Sequence, residues 1–247
     1  MDRLIYTALT GMDAAMNRQR AVANNLANAS TPGFRREIFA VTPAMLRDGS
    51  IEARALARGQ VRGADMTAAE VNPTGRPLDV AVGGDALIAF QAPGGGEIYS
   101  RRGDLRVAPT GVLENGEGLA VLGESGAPIT VPGGFRIAIS DDGTLLATDP
   151  AAPGEAAQPL DRIRLVSPEG SALLKGIDSF IEVPGGGVLP ADPTARLTSG
   201  ALEKSNVQTA ATLVEMIDAQ RAFEQRAKII QTANQLDEAS SRLMGMS

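Results

Sequence analysis

The stretch Ser205 to Met244, SNVQTAATLVEMIDAQRAFEQRAKIIQTANQLDEASSRLM, runs forty residues without a glycine or a proline. Those two residues are the strongest breakers of helix, one through backbone entropy and the other through its ring and missing N–H. A run this long without either reads as one helix, roughly 60 Å if continuous. Ser205-Asn206-Val207-Gln208 predicts its start as a capping box, the serine hydroxyl accepting from the third helical N–H while the glutamine reaches back. Leu213, Met216, Gln220, Phe223, Ala227 and Ile230 trace one heptad seam, with Ile217 beside it, and Ile229, Leu236 and Leu243 continue on a shifted one. Such a length exceeds that of the usual globular helix and points to a coiled coil or a helical repeat.

The other end of the chain answers to the same test. Proline is absent from residues 1–31 and 194–247, all fifteen prolines lie between, and twenty of the 28 glycines fall within 76–197. The chain therefore reads as helix, breaker-rich middle, helix. The N-terminal helix is expected over Arg3–Ala29, with Asp2 as its cap. Ile5, Met12, Gln19 and Leu26 recur at sevenfold spacing, and Ala8, Ala15 and Val22 fill the alternate position. This seam is narrow and rich in small residues. Ser30-Thr31-Pro32-Gly33 ends it, and Pro followed by Gly suits the two centre positions of a type II turn. Packing inside one globular domain would explain both stripes. Their place at the two chain ends, and the polar Gln19, Gln220 and Asn234 within them, favours ends that pair and then meet other subunits.

The middle reads as short strands. Leu78–Val82, Phe135–Ile139 and Arg162–Val166 alternate, Leu87–Phe90 is a short apolar run, and Phe180–Val183 is a further strand. Asn115-Gly116 and Asp142-Gly143 are turn signals. Residues 31–75 read as an extended or partly helical connector, with Ala44 to Ala57 as its helical part. The expected fold class is α+β: an all-β central domain, an irregular sandwich or barrel, with long N- and C-terminal helices pairing as a coiled coil. The expected divisions are 1–30, 31–75, 76–197 and 198–247, the last pairing with the first.

Composition narrows the chemistry. Aromatic residues make up 3% of the chain, with no Trp, so a core must rest on Ala, Val, Leu and Ile. Part of the chain is thus expected to gain stability outside its own fold. The formal charge of −6 is uneven: residues 76–197 carry 9 basic and 16 acidic groups, whereas both ends are nearly neutral. Neutral ends can approach like copies without strong repulsion. There is no basic stripe and little stacking surface for nucleic acid. No run approaches the roughly 18 apolar residues of a membrane span, and the first residues lack the apolar region of a cleavable signal.

With no Cys and no His, the chain has no thiolate site, no Ser-His-Asp triad and no His-ligated zinc. Asp141-Asp142-Gly143-Thr144 reads as a solvated hairpin turn rather than a cation site or an acid–base pair. The glycine clusters at 94–96 and 185–187 match no phosphate-binding pattern. Arg101-Arg102 reads as a solvated strand end. No catalytic, cofactor-binding or metal-ligating residue is expected, and no cofactor.

The terminal motifs carry a specific similarity. Ala23-Asn24-Asn25-Leu26-Ala27-Asn28-Ala29-Ser30-Thr31-Pro32-Gly33-Phe34-Arg35-Arg36 resembles the N-terminal signature of flagellar rod and hook proteins. Leu202-Glu203-Lys204-Ser205-Asn206-Val207 and Met216-Ile217-Asp218-Ala219-Gln220-Arg221-Ala222-Phe223-Glu224 resemble the matching C-terminal signature. Leu78–Val82 and Tyr99–Gly103 resemble the start of the family's β domain. The motif residues in question are Asn24, Asn25, Asn28, Thr31, Pro32, Gly33 and Phe34 at one end, and Ser205, Asn206, Val207, Gln220 and Arg221 at the other. Within the family, length and the opening Asp2–Tyr6 look most like proximal rod subunits, with distal rod subunits as the alternative.

The resemblance implies a structural subunit of the flagellar basal-body rod, spanning the periplasm, with no enzymatic activity and no membrane insertion. Its implied partners are other copies of itself, neighbouring rod proteins and the flagellar type III export apparatus. It also implies terminal helices that order on assembly and a rod that transmits torque from motor to hook. A β-rich glycan hydrolase using two carboxylates is the enzymatic rival; it would need such a pair facing a cleft.

Overall fold

The computed structural model describes the backbone of residues 2–48, 51–152, 155–176 and 178–244, and the side chains of these except residues 2–7, 43–48, 51–58, 62 and 236–244. The chain opens with helix α1 (Asp2–Ala27) and two long strands, β1 (Glu37–Asp48) and β2 (Ile51–Ala64). Short strands follow: β3 (Val71–Pro73), β4 (Val80–Val82), β5 (Leu87–Gln91), β6 (Glu97–Ser100), β7 (Arg106–Val107) and β8 (Leu113–Glu114). Then come β9 (Arg136–Ile139), β10 (Thr144–Thr148), β11 (Gln158–Arg162), β12 (Leu165–Val166), β13 (Leu174–Lys175) and β14 (Ile181–Glu182). Strands β15 (Leu197–Ser199) and β16 (Ala201–Glu203) lead to helix α2 (Thr209–Met244). The fold is therefore α+β. Among the described residues no helix is long and apolar enough to cross a membrane.

The chain forms two compact units. The first comprises residues 1–27, 37–62 and 208–247 and holds both helices and most of the β1–β2 pair. Here α1 packs along α2 and against β1. Among the described residues, the buried side chains of this unit are small or polar: Ala14, Ala15, Ala21, Val22 and Asn25 on α1, Thr212 and Ala219 on α2, and Glu37 on β1. Gly59 on β2 makes a close approach possible. A Cβ there would lie 2.6 Å from Phe39 Cζ and 3.0 Å from Ala14. Beside it, Asn17 Nδ2 donates to the Gly59 carbonyl at 3.3 Å.

Two expectations are corrected in this region. Ala44 to Ala57 is not helical: its described residues belong to β1 and β2. Ile38, Phe39, Val41 and Thr42 start β1 with strand-favouring side chains. Pro43 is compatible because each strand of a two-stranded sheet keeps an open edge. The second correction concerns the start of α2. It begins at Thr209, and Ser205 makes no capping box: its Oγ accepts from Val207 N–H at 3.2 Å, two residues on. The first helical bond runs instead from Thr212 N–H to the Gln208 carbonyl at 2.9 Å.

The second unit comprises residues 28–36 and 63–207. Its sheets are antiparallel and small. The largest has five strands in the order β12-β5-β6-β14-β13. β5 explains the apolar run Leu87–Phe90. Ile88 and Phe90 enter one cluster with Val80, Ile98, Leu113 and Leu145, while Leu87 and Ala89 enter a second with Tyr99, Val166 and Leu189. A strand buried on both faces reads as a continuous apolar run rather than an alternating one. Phe90 and Phe180 meet edge to face, with ring centroids 6.1 Å apart. β9 and β10 form the hairpin expected at Asp142-Gly143, with Leu145 opposite Ile139 and Gly143 at φ +89°.

Candidate functional site

The two terminal motifs meet within the second unit. Phe34 N–H donates to the Thr31 carbonyl at 3.3 Å, and Gly33 stands third in this turn at φ +67°. A positive φ there is what a type II turn requires and glycine supplies without strain. Space demands glycine as well: an added Cβ would lie 2.3 Å from the Arg101 carbonyl carbon and oxygen. Gly33 N–H donates to the Glu203 carbonyl at 2.8 Å, joining the turn to β16. Asn28 closes the turn from behind, its carbonyl accepting from Thr31 N–H at 3.1 Å and its Oδ1 from Thr31 Oγ1 at 3.1 Å.

A buried ion triad lies beneath. Arg35, Arg101 and Glu203 are each no more than 3% exposed. Glu203 Oε1 accepts from Arg35 Nη2 at 2.8 Å and from Ala69 N–H at 2.9 Å, and its Oε2 accepts from Arg101 Nε at 2.6 Å. The Arg101 Nη groups reach three carbonyls, those of Val82, Gly84 and Ala86. Arg35 Nη1 donates to the Thr67 carbonyl. Burial and the nearby Arg101 push the Arg35 guanidinium down from its ordinary value, while Glu203 and then Asp65 oppose that shift. Phe34 is buried beside them, with Lys175 Nζ 3.5 Å from its ring centroid and donating to the Arg35 carbonyl.

Arg101 is therefore not a solvated strand end. Its position is the third correction. Its side chain closes the β4–β5 loop from within, while Arg102 pairs at the edge with Asp104 at 2.7 Å and with Glu117. Sequence reading contained Glu203 and Arg35 only as members of motifs. Glu203 alternates in phase with the apolar Ala201 on the strand Ala201-Leu202-Glu203, but its partner Arg101 is 102 positions away.

In the first unit, Asn25 binds the Glu37 backbone twice: its Oδ1 accepts from Glu37 N–H at 2.7 Å and its Nδ2 donates to the Glu37 carbonyl at 3.2 Å. Asn24 Nδ2 donates to Glu37 Oε1. Of the α1 seam, Ala15 and Val22 are buried, and Ala8, Met12, Gln19 and Leu26 are half-buried. The side chains of Asp2, Ile5, Leu236 and Leu243 lie outside the described set. On α2, Met216, Phe223, Ala227 and Ile230 are half-buried, whereas Leu213, Ile217, Gln220 and Arg221 are exposed. Pro32 is half-buried, Val207 is buried, and the Asn206 side chain binds the backbone at Arg36 and at Asp65 and Thr67. The Asp141-Asp142 turn is an exposed hairpin closure. Ser140 Oγ, Thr144 N–H and Thr144 Oγ1 all donate to Asp142, and these bonds hold its carboxyl down at about 2.

Residues 5–35 match the family description "Flagella basal body rod protein", and residues 198–243 match "Flagellar basal body rod FlgEFG protein C-terminal". The chain is 40% identical to the flagellar basal-body rod protein FlgF of Escherichia coli over all of both chains. It is 30% identical to the FlgF of Caulobacter vibrioides over 99% of each. To the rod protein FlgG of Bacillus subtilis it is 28% identical, over 96% of this chain and 97% of the other. The Arg35 and Glu203 that close the triad lie inside the two matched segments, and the chain belongs to the family of flagellar basal-body rod proteins, with FlgF.

Proposed function

We propose that this rod subunit is stabilised in assembly by apolar side chains that its own fold leaves outside. Membership of the family makes it a structural subunit of the flagellar basal-body rod, and the stronger likeness to FlgF than to FlgG supports the proximal rod. One observation supports the manner of assembly. Among its described residues the first unit reverses the usual order of a core, with small side chains fully buried and several large ones exposed. Ala15, Ala21, Thr212 and Ala219 are inside, while Leu9, Met16, Leu213, Val214, Ile217 and Ile229 are 45–59% exposed.

Exposed single apolar residues are ordinary, but six on two nearly neutral helices leave apolar area that like partners can cover. Fully burying one such side chain contributes about 1.5–3 kcal/mol, so covering the half still exposed on all six offers about 5–9 kcal/mol before association costs. The partners in this reading are other copies of the chain and neighbouring rod proteins. The α1 and α2 seams then act as a coiled coil, and the two apolar clusters on either face of β5 as the core of an irregular sandwich. Export through the flagellar type III apparatus and torque transmission belong to the same reading.

The test is complementation in a bacterium deleted for its own FlgF. The unaltered chain restores rods and swimming. Ile217→Asp and Leu213→Asp abolish both while leaving the second unit folded by circular dichroism. Normal rods built from both variants would mean that other surfaces hold the neighbours.

A further inference from the structure

The chain passes between its two units four times, after Ala27, Arg36, Arg62 and Val207. One side chain in the second unit joins its own passage segment to two of the others. Asn206 Oδ1 accepts from Arg36 N–H at 2.7 Å, and Asn206 Nδ2 donates to the carbonyls of Asp65 at 2.8 Å and Thr67 at 3.1 Å. Its own N–H donates to the Phe34 carbonyl at 3.2 Å. Asp65 N–H in turn donates to the Arg36 carbonyl at 2.8 Å. Asn206 thus ties the segment about to leave at Arg36, the segment that has just entered at Gly63, and its own segment, which leaves after Val207.

The side chain is chosen by chemistry. A carboxamide offers two N–H donors and one acceptor oxygen, and here the oxygen meets an N–H while the nitrogen meets two carbonyls. An aspartate would keep the acceptor and set a carboxylate against two carbonyl oxygens. A serine would be too short to reach two segments. Three residues upstream, Glu203 holds Arg35 through the buried triad, so the tied segments are anchored to the core of the unit.

We propose that Asn206 is the positioning residue of a torsional clamp. It holds three of the four chain passages together, so that twisting load carried by the helical ends enters the β-rich unit through cross-linked backbone rather than through separate linkers. This rests on the rod-subunit reading above. Separate linkers would each turn about their own φ and ψ, whereas backbone tied at one amide shares the strain among three segments.

The experiment has two arms. In the first, amide exchange is measured on the purified full chain with Asn206→Ala and Asn206→Asp. Exchange at Arg36 rises about tenfold or more in both, while amides of Leu87–Gln91 keep their rate. In the second, each variant replaces FlgF in cells. Flagella form in normal number, but swimming falls behind the unaltered chain as medium viscosity is raised. The clamp is overturned by unchanged exchange at Arg36, by swimming equal to the unaltered chain at every viscosity, or by absence of rods, which would make Asn206 an assembly residue. Failure of the unaltered chain to restore rods is the separate result that strikes the rod-subunit reading, and the exchange arm still decides the geometry.

Discussion

Replacing Glu203 by glutamine keeps the shape of the side chain and removes the carboxylate that pairs with both Arg35 and Arg101. Arg35 and Arg101 would then stand together in a site where each is 3% exposed, with Arg35 Nε already buried and without a hydrogen-bond partner. Removing one member of a buried ion pair costs about 3–5 kcal/mol, because the remaining charge is left uncompensated. For a unit of this size each kcal/mol lowers the unfolding midpoint by about 2–4 °C, so Glu203→Gln is expected about 6–20 °C below the parent. Glu203→Ala should fall at least as far, since Ala69 N–H loses its acceptor as well.

The assay is thermal unfolding of the purified chain followed by circular dichroism and by tyrosine emission, which reports on buried Tyr99. Salt sharpens it. Buried charges are poorly screened, so the Glu203→Gln deficit should persist in 0.5 M salt, where the Debye length is only about 4 Å. Lys204→Ala is the control: its pair with Glu70 is exposed on both sides, and its loss should change stability by about 0.5 kcal/mol or less. Replacing the whole triad by apolar residues should not rescue the fold, because Arg101 also satisfies the carbonyls of Val82, Gly84 and Ala86. A Glu203→Gln protein within about 1 kcal/mol of its parent would refute the reasoning, since no buried uncompensated charge costs so little.

Gly33→Ala should destabilise the second unit by about 3 kcal/mol or more, from the positive φ and the Cβ clash with Arg101 together, measured by denaturant unfolding. Asp142 has its carboxyl pushed down from 3.8 to about 2, so its contribution is present above the unfolded value and is lost as pH falls through about 2. Asp142→Asn should therefore narrow the stability difference between pH 4 and pH 2, read from unfolding midpoints. Tyr99 shows the opposite sign: burial pushes its phenol up to about 12, and the stability it contributes below pH 10 is lost as pH rises towards 12. Tyr99→Phe should remove that alkaline loss and cost about 1–3 kcal/mol at neutral pH, because Leu189 N–H, 3.0 Å from the phenol oxygen, loses its acceptor.

The parts legible in the sequence are those set by local chemistry. Proline and glycine mark out α1 and α2, Pro32-Gly33 announces the turn, and Asp142-Gly143 announces the β9–β10 hairpin. The parts that escaped depend on partners far along the chain. Arg101 reads as surface until Glu203 and three carbonyls are brought to it. Ser205 and Gln208 have the right spacing for a cap, but Asn206 between them is committed to Arg36, Asp65 and Thr67, so the helix starts later. The β1–β2 pair escaped because residues 44–57 are rich in Ala, a weak strand former, so the alternation of Ile51, Ala53, Ala55 and Ala57 with Glu52 and Arg54 carries little apolar bulk.

The motif residues divide in the same way. Gly33 is explained twice over by its turn and its neighbour. Asn25 is legible as a polar residue on an amphipathic helix, yet its two bonds to the Glu37 backbone need a strand that sequence reading did not place. On α2 the heptad pattern was visible, but which side faces α1 was not. The structure turns Thr212 and Ala219 inward and leaves Leu213 and Ile217 out, the arrangement on which the proposed assembly depends.

That proposal is tested most directly by amide exchange along α1 and α2, at residues 8–27 and 209–235, in dilute protomer and in assembled rods. Helices whose internal seam is alanine and threonine should open at a cost of about 2 kcal/mol or less in the protomer, while Leu87–Phe90 exchanges only on global unfolding. In the rod the same helices should be protected as strongly as β5. Equal, strong protection of both helices in dilute protomer and in rod would contradict the account.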